Sequence, residues 1–289
     1  MLRLTSALVA SFALLHACKP QERSSQSSAP SHSETSSVDA AAFRGEVHFA
    51  SDGRTLVGWL LKPSGEGPFP AIVYNHGSEK DPSLEWMGDT ASFFQAHGYA
   101  AFFPFRRGTI GSEGPYWKDA VDKMPASQQE QATIDALDAE SADVVAAIEY
   151  VAAQPFVDAR RVAVAGCSFG GIHTLLAAEK PNGVNAAVDF AGASFSWATS
   201  PLLQQRLMSA VDATKTPVFF LQAENDHDTT PSKELSAEMT RLGKPNREKI
   251  YPPNGKTEMA GHAGFCNHGQ AAWGEDVLAF LRDAPPAPK

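Results

Sequence analysis

The residues best able to do covalent chemistry lie in Gly166-Cys167-Ser168-Phe169-Gly170-Gly171. An apolar run over residues 161–166 precedes Ser168 and a helical pattern follows it from Ile172, so a strand turns into a helix around the serine. So tight a turn needs small residues two before and two after the serine, and Gly166 and Gly170 stand there. This is the context of a G-x-S-x-G nucleophile elbow, which exposes the hydroxyl at the C-terminal edge of a sheet. A serine hydroxyl is barely ionised at neutral pH. It needs a base, and the base needs a carboxylate to orient it.

On such an elbow the acid and then the base follow the serine along the chain. The acid belongs after the next strand but one, residues 218–223, which runs into Glu224-Asn225-Asp226-His227-Asp228. Asp226 lies at the usual distance past the strand end and is the first choice, with Asp228 and Glu224 as competitors. The base must follow the last core strand, where His262 and His268 qualify. His262 is preferred, because Ala260-Gly261-His262-Ala263-Gly264 is a glycine-flanked loop able to bring an imidazole to the sheet edge. Tyr74-Asn75-His76-Gly77-Ser78 closes an earlier strand, and its H-G-x turn resembles the loop that supplies one oxyanion-hole N–H. The candidate oxyanion donors are therefore the N–H groups of Phe169 and Ser78. His76 is expected to brace the loop rather than to catalyse.

The elements that must position these groups alternate. Residues 43–49 and 56–62 read as a strand pair joined by Ser51-Asp52-Gly53, a hairpin turn signal. Further strands are expected at 71–75, 99–104, 161–166, 184–190, 218–223 and 248–251. Helical patterns fall at 90–97, 128–153, 171–179, 232–242 and 271–282. Strands separated by such helices predict βαβ units and a mostly parallel sheet flanked by helices, an α/β fold. The helix at 128–153 carries Ala and Val at helical spacing with acids opposite, which reads as an amphipathic surface helix. Residues 194–213 fall where a short lid segment would sit, and their apolar side chains either line an acyl cavity or simply pack.

Taken together, several motifs resemble the dienelactone hydrolase family of α/β hydrolases. They are the elbow, Asn75-His76-Gly77, Phe105-Arg106-Arg107-Gly108, Gly111-Ser112-Glu113-Gly114-Pro115-Tyr116, Gln222-Ala223-Glu224-Asn225-Asp226 and Lys249-Ile250-Tyr251-Pro252-Pro253. The likeness covers about residues 43 to 281. It implies an eight-stranded sheet with its second strand antiparallel, and cofactor-free hydrolysis through an acyl-enzyme. The enzymes that name the family use a Cys nucleophile. Ser168 holds that slot here, so the activity implied is that of a serine carboxylic-ester hydrolase on a small-molecule ester. A peptidase of small peptides and a non-catalytic binding protein on the same fold are the alternatives. Arg106 and Arg107 would sit near the cavity mouth, either binding a substrate carboxylate or bridging loops through backbone carbonyls.

Residues 1–17 read as a lipoprotein signal peptide: Arg3 is its positive region and residues 4–15 its apolar stretch. Leu15-His16-Ala17-Cys18 resembles the bacterial lipobox, with His16 unusual at its position; an ordinary secretory signal is the alternative. Residues 18–42 are then a lipidated Cys18 and a Ser-rich tether expected to be disordered. Residues 43–282 form the hydrolase domain, and residues 283–289 a disordered tail. By the same resemblance, Lys19 after the Cys implies an exported lipoprotein on the periplasmic side, at the outer membrane. Membrane contact is expected through the lipid anchor only, since no apolar run reaches the roughly 20 residues that span a bilayer.

With 24 Lys and Arg against 33 Asp and Glu the net charge is −9, which argues against nucleic acid as a partner. The 3 cysteines make no disulfide framework. Cys167 and Cys266 each lie close to an expected catalytic residue. An exported location permits a bridge, although two buried thiols are the simpler reading. The His262, Cys266 and His268 spacing is poor for zinc, so no metal is expected.

Overall fold

The computed structural model describes residues 43–288. The expectations for residues 1–42, including Cys18, lie outside the described residues. One sheet contains β1 (Phe43–Ser51), β2 (Arg54–Leu61), β3 (Phe69–Asn75), β4 (Ala100–Pro104), β5 (Val157–Cys167), β6 (Ala186–Phe190), β7 (Val218–Ala223) and β8 (Asn246–Tyr251). Their spatial order is β1-β2-β4-β3-β5-β6-β7-β8. β2 is antiparallel to both neighbours, and β3 to β8 run parallel. The β1–β2 hairpin closes through Asp52 and Gly53, both left-handed at φ 48° and 73°, the backbone that a two-residue hairpin turn requires.

Among the described residues eight α-helices flank the sheet: α1 (Leu84–Ala96), α2 (Trp117–Val121), α3 (Ala126–Ala152), α4 (Phe169–Ala178), α5 (Pro201–Ala213), α6 (Thr230–Arg241), α7 (Phe265–His268) and α8 (Gln270–Asp283). Alternate residues of each strand face opposite sides, so the sheet feeds two cores. Val73, Phe102, Val164 and Phe220 meet Val144, Ile148, Leu176 and Leu207 of α3, α4 and α5 on one face. Ile72, Phe103, Val188 and Phe219 meet Phe94, Trp273 and Val277 of α1 and α8 on the other. Burial on both faces is why the central strands read as continuous apolar runs. In the segment 194–213, Trp197, Leu203 and Leu207 are buried while Phe195 stays exposed, so most of the expected lid packs.

The structure corrects three expectations. α3 is not a plain surface helix, because Glu140 and Asp143 lie on its buried face. The tail expected to be disordered is tied down as far as Ala287. The Ala287 N–H donates to the Arg160 carbonyl at 2.8 Å, the Arg160 Nε returns a bond to the Ala287 carbonyl at 3.0 Å, and Ala287 is buried. Backbone pairing anchors a segment that composition alone marks as loose. Finally, Cys167 and Cys266 form a disulfide, not two free thiols.

That bridge ties the end of β5 to α7 across 99 residues. In the chain-entropy account a loop of this length makes a bridge worth several kcal/mol. The double variant Cys167→Ala/Cys266→Ala is expected to unfold with about 2–5 kcal/mol less stability in urea titrations. Reduced wild type should unfold at a similarly lowered midpoint. Superimposable curves for bridged and unbridged protein would show that the bridge contributes nothing.

Candidate active site

Ser168 sits between β5 and α4 with φ 58° and ψ −117°, a region that a residue with a Cβ enters at about 1–3 kcal/mol. The Ser168 N–H donates to the Phe190 carbonyl at 2.9 Å, and its carbonyl accepts from Gly171 at 2.9 Å and Ile172 at 3.2 Å. The flanking glycines are demanded by contact. A Cβ on Gly166 would lie 2.4 Å from the Gly170 carbonyl oxygen, and one on Gly170 would lie 2.2 Å from that of Asn75. The elbow therefore presses directly on the Asn75-His76 backbone. The Phe169 N–H is the first of α4 and has no intrahelical acceptor.

His262 and Asp226 are paired. The imidazole Nδ1 lies 2.9 Å and 3.0 Å from the two carboxylate oxygens. Asp226 also accepts from Ser194 Oγ at 2.7 Å, Gln222 Nε2 at 3.0 Å and the His227 N–H at 2.6 Å. Burial raises the Asp226 carboxyl, but the bonds from His262, Gln222 and Ser194 outweigh it and hold the group below the usual carboxylate range. His262 lies in a π-helical turn, Ala260–Gly264. A Cβ on Gly261 would be 2.5 Å from the Asn225 carbonyl oxygen, so this glycine lets the turn pack beside Asp226. Of the competitors, Asp228 accepts from the Thr230 N–H at 2.8 Å, Glu224 is exposed, and His268 pairs with Asp89 at the surface.

The loop after β3 is held from behind. Arg106, 2% exposed, donates through Nη1 to the His76 carbonyl at 2.9 Å and through Nη2 to the Gly77 carbonyl at 2.6 Å. Its Nε donates to Glu140 at 3.0 Å. The same Glu140 oxygen accepts from Nε2 of His173, on α4, at 3.1 Å. Burial and then the Arg106 charge hold both His76 and His173 below the ordinary imidazole value, so each ring is neutral. Nδ1 of His76 then donates to the Gly77 carbonyl at 3.0 Å. His76 and Arg106 both brace this loop: the guanidinium bridges its carbonyls, so it is not free for a substrate.

Two cavities meet at Ser168. One, of about 290 Å³, is lined by Tyr74, Ser78, Cys167, Ser168, Met259 and His262. The other, of about 530 Å³, is lined by Ser78, Trp117, Ser168, Phe169, Phe195 and Leu203. Trp117 stacks on Phe169 at 4.8 Å, and Phe195 meets His262 edge-on at 4.6 Å. Ser168, His262, Asp226, Phe169 and Ser78 thus converge. Sequence reasoning missed Ser194, Gln222 and Glu140. Gln222 could have been suspected from its place four before Asp226. Ser194 and Glu140 carry no local signal. Among the described residues no group of three His, Cys, Asp or Glu side chains is placed to hold a metal ion.

A mostly parallel eight-stranded sheet, with a serine elbow after β5 and an acid and a histidine following in order, defines an α/β hydrolase. Residues 58–276 match the dienelactone hydrolase family, and the chain belongs to it. It is 29% identical over 219 residues to the polyketide transferase grgF of a Penicillium species, covering 72% of this chain and 68% of that protein. Solved structures share the fold. Est1E of Butyrivibrio proteoclasticus, bound to ferulic acid, has a TM-score of 0.61 at 16% identity, over 82% of this chain and 100% of its own. Esterase Pf2001 of Pyrococcus furiosus has 0.62 at 15%, over 84% and 92%. The acylaminoacyl peptidase of Pyrococcus horikoshii has 0.61 at 17%, over 85% of this chain. The chain spans only 42% of that peptidase's length.

The lowered Asp226 carboxyl fixes the sign of one pH effect. In the unfolded chain the group titrates near its ordinary value of about 3.9; in the fold it titrates lower. Its contribution is therefore complete above that value and is lost as pH falls through the folded one. Asp226→Asn should be less stable than wild type in urea at pH 7, and the gap should shrink toward pH 3. A gap that stays constant between those pH values would contradict the assignment.

Proposed function

We propose that the protein is a serine esterase that hydrolyses carboxylic esters through an acyl-enzyme. The observation that carries this reading is Ser168 on its strained elbow, sharing a cavity with a His262 whose Nδ1 is bonded to Asp226. His262 Nε2 takes the Ser168 proton as Oγ attacks the ester carbonyl, then hands it to the leaving alcohol. Asp226 fixes the imidazole tautomer and stabilises the imidazolium. The N–H groups of Phe169 and Ser78 hold the oxyanion. Water repeats the cycle on the acyl-enzyme.

The proton donor sorts the two cavities. The leaving oxygen must lie on the His262 side, so the alcohol occupies the smaller cavity and the acyl group the larger one walled by Trp117, Phe169 and Leu203. That wall suits a bulky apolar acyl group, aromatic ones included. The Penicillium relative is a polyketide transferase, and transfer of the acyl group to an alcohol in place of water would use the same acyl-enzyme. We further propose that Cys18 is lipidated and anchors an exported protein at the periplasmic side of the outer membrane. Mass spectrometry of the mature N-terminus should find a modified Cys18, and an unmodified one would remove the anchor.

A panel of aryl and alkyl esters, run beside aminoacyl amides and with or without added alcohol, tests the reaction. Ester turnover should dominate, and Ser168→Ala should lower it by at least about a thousandfold. Trp117→Ala should lower kcat/KM for arylacyl esters about tenfold and leave acetyl esters nearly unchanged. Faster cleavage of amides, or full activity in Ser168→Ala, would defeat the reading.

A further inference from the structure

We infer that Glu140, Arg106 and His173 form a buried yoke that positions both oxyanion donors, Ser78 N–H and Phe169 N–H, with Arg106 and Glu140 as positioning residues for the reaction. The inference rests on the esterase reading above and adds the device that sets its transition-state contacts.

The geometry runs through one peptide. Among the described residues the only cis bond is Gly67-Pro68, so the Gly77-Ser78 peptide is trans. Its carbonyl and its N–H therefore point in opposite directions. The Gly77 carbonyl is held from behind by Arg106 Nη2 at 2.6 Å and by His76 Nδ1 at 3.0 Å. Pinning that oxygen aims the Ser78 N–H the other way, and Ser78 lines both cavities that contain Ser168. The next peptide is fixed as well, because the Tyr116 hydroxyl donates to the Ser78 carbonyl. A charged donor on the Gly77 carbonyl also polarises the peptide, which strengthens its N–H as a donor.

The second donor is held by the same carboxylate. One oxygen of Glu140 accepts from Arg106 Nε and from His173 Nε2. His173 lies one turn beyond Phe169 on α4, its ring edge-on to the Phe169 ring at 5.1 Å. The Arg106 guanidinium lies 5.6 Å from the same ring. A single buried group thus fixes the separation between the loop that gives one donor and the helix that gives the other. Donors help only when aimed at the place where the oxyanion forms. Stability alone does not call for this arrangement, since well-packed apolar groups often replace a buried ion pair without loss.

The test uses Glu140→Gln, Arg106→Lys and, at the half-buried edge, Tyr116→Phe. Each is checked for folding by circular dichroism. For an aryl ester, kcat should fall roughly a hundredfold in the first two and less in the third, with KM held within about threefold. Affinity for an aryl trifluoromethyl ketone, whose adduct carries the oxyanion, should fall by the same factor as kcat/KM across the series. A merely structural role would not produce that proportionality. Folded variants with kcat within threefold of wild type, or with raised KM and unchanged kcat, would overturn the yoke. If Glu140→Gln does not fold, the other two variants decide on the same plot. Wild type that neither cleaves esters nor forms the Ser168 adduct would instead sink the esterase reading. Wild type that does both beside equally active variants would overturn the yoke alone.

Discussion

Two carboxylates three residues apart on the inner face of α3 clasp two consecutive arginines, and the upper edge of the sheet is organised around that clasp. Glu140 takes Arg106. Asp143 takes Arg107 through Nε at 2.8 Å, Nη2 at 2.8 Å and the backbone N–H at 3.0 Å. Asp143 also accepts from Ser51 Oγ at 2.7 Å, which brings in the β1–β2 hairpin, and Glu140 brings in α4 through His173. Buried charges are expensive to desolvate and persist only when paired and hydrogen-bonded. Here nearly every strong donor and acceptor has a partner. Removing one partner of such a pair typically destabilises by about 3–5 kcal/mol, because it strands the other charge. The clasp therefore fixes where the chain leaves β4 and how α3 and α4 meet.

The elbow depends on this order. Gly170 packs with no room for a Cβ against Asn75 and His76, whose loop is braced by Arg106. A displaced loop would release the contact that supports Ser168 in its left-handed conformation. On the other side, the segment after β6 passes through Ala191 and Ala193, both at positive φ, to bring Ser194 to Asp226. Local strain at Ser168, Ala191 and Ala193 is thus concentrated around the site and is carried by the well-packed strands beneath.

What could be read in the sequence was what depends on neighbours along the chain. Gly166 and Gly170 announce the elbow because a sharp turn forbids side chains at those spacings. Asp226 and His262 follow from strand ends and chain order, and the alternation of apolar runs with helical patterns reveals the layered fold. What depends on tertiary contact stayed hidden. Glu140 and Asp143 look like solvent-facing acids on an amphipathic helix, and only the arginines opposite explain their burial. Ser194 reads as part of a lid, although its hydroxyl serves Asp226. The Pro-rich end looks loose, yet its backbone bonds to Arg160. α1 starts at Leu84, six residues before the expected start, and Met87, buried at helical spacing before Ala91 and Phe94, already belongs to its inner face.

The disulfide bears on the nucleophile. The chain has 3 cysteines, and two of them are joined, so no free thiol remains among the described residues. Cys167, adjacent to the elbow serine, is thereby removed as an alternative attacking group, which supports Ser168 as the nucleophile in a family whose namesakes use cysteine. The position of the bridge has a second consequence. Cys167 is the last residue of β5, immediately before Ser168, and Cys266 lies one turn beyond His262. A covalent link between these points limits how far His262 can drift from Ser168. The loop that carries His262 is anchored at one end by Gly261 packed on Asn225 and at the other by sulfur, so the part of the site built on irregular backbone is constrained from both sides.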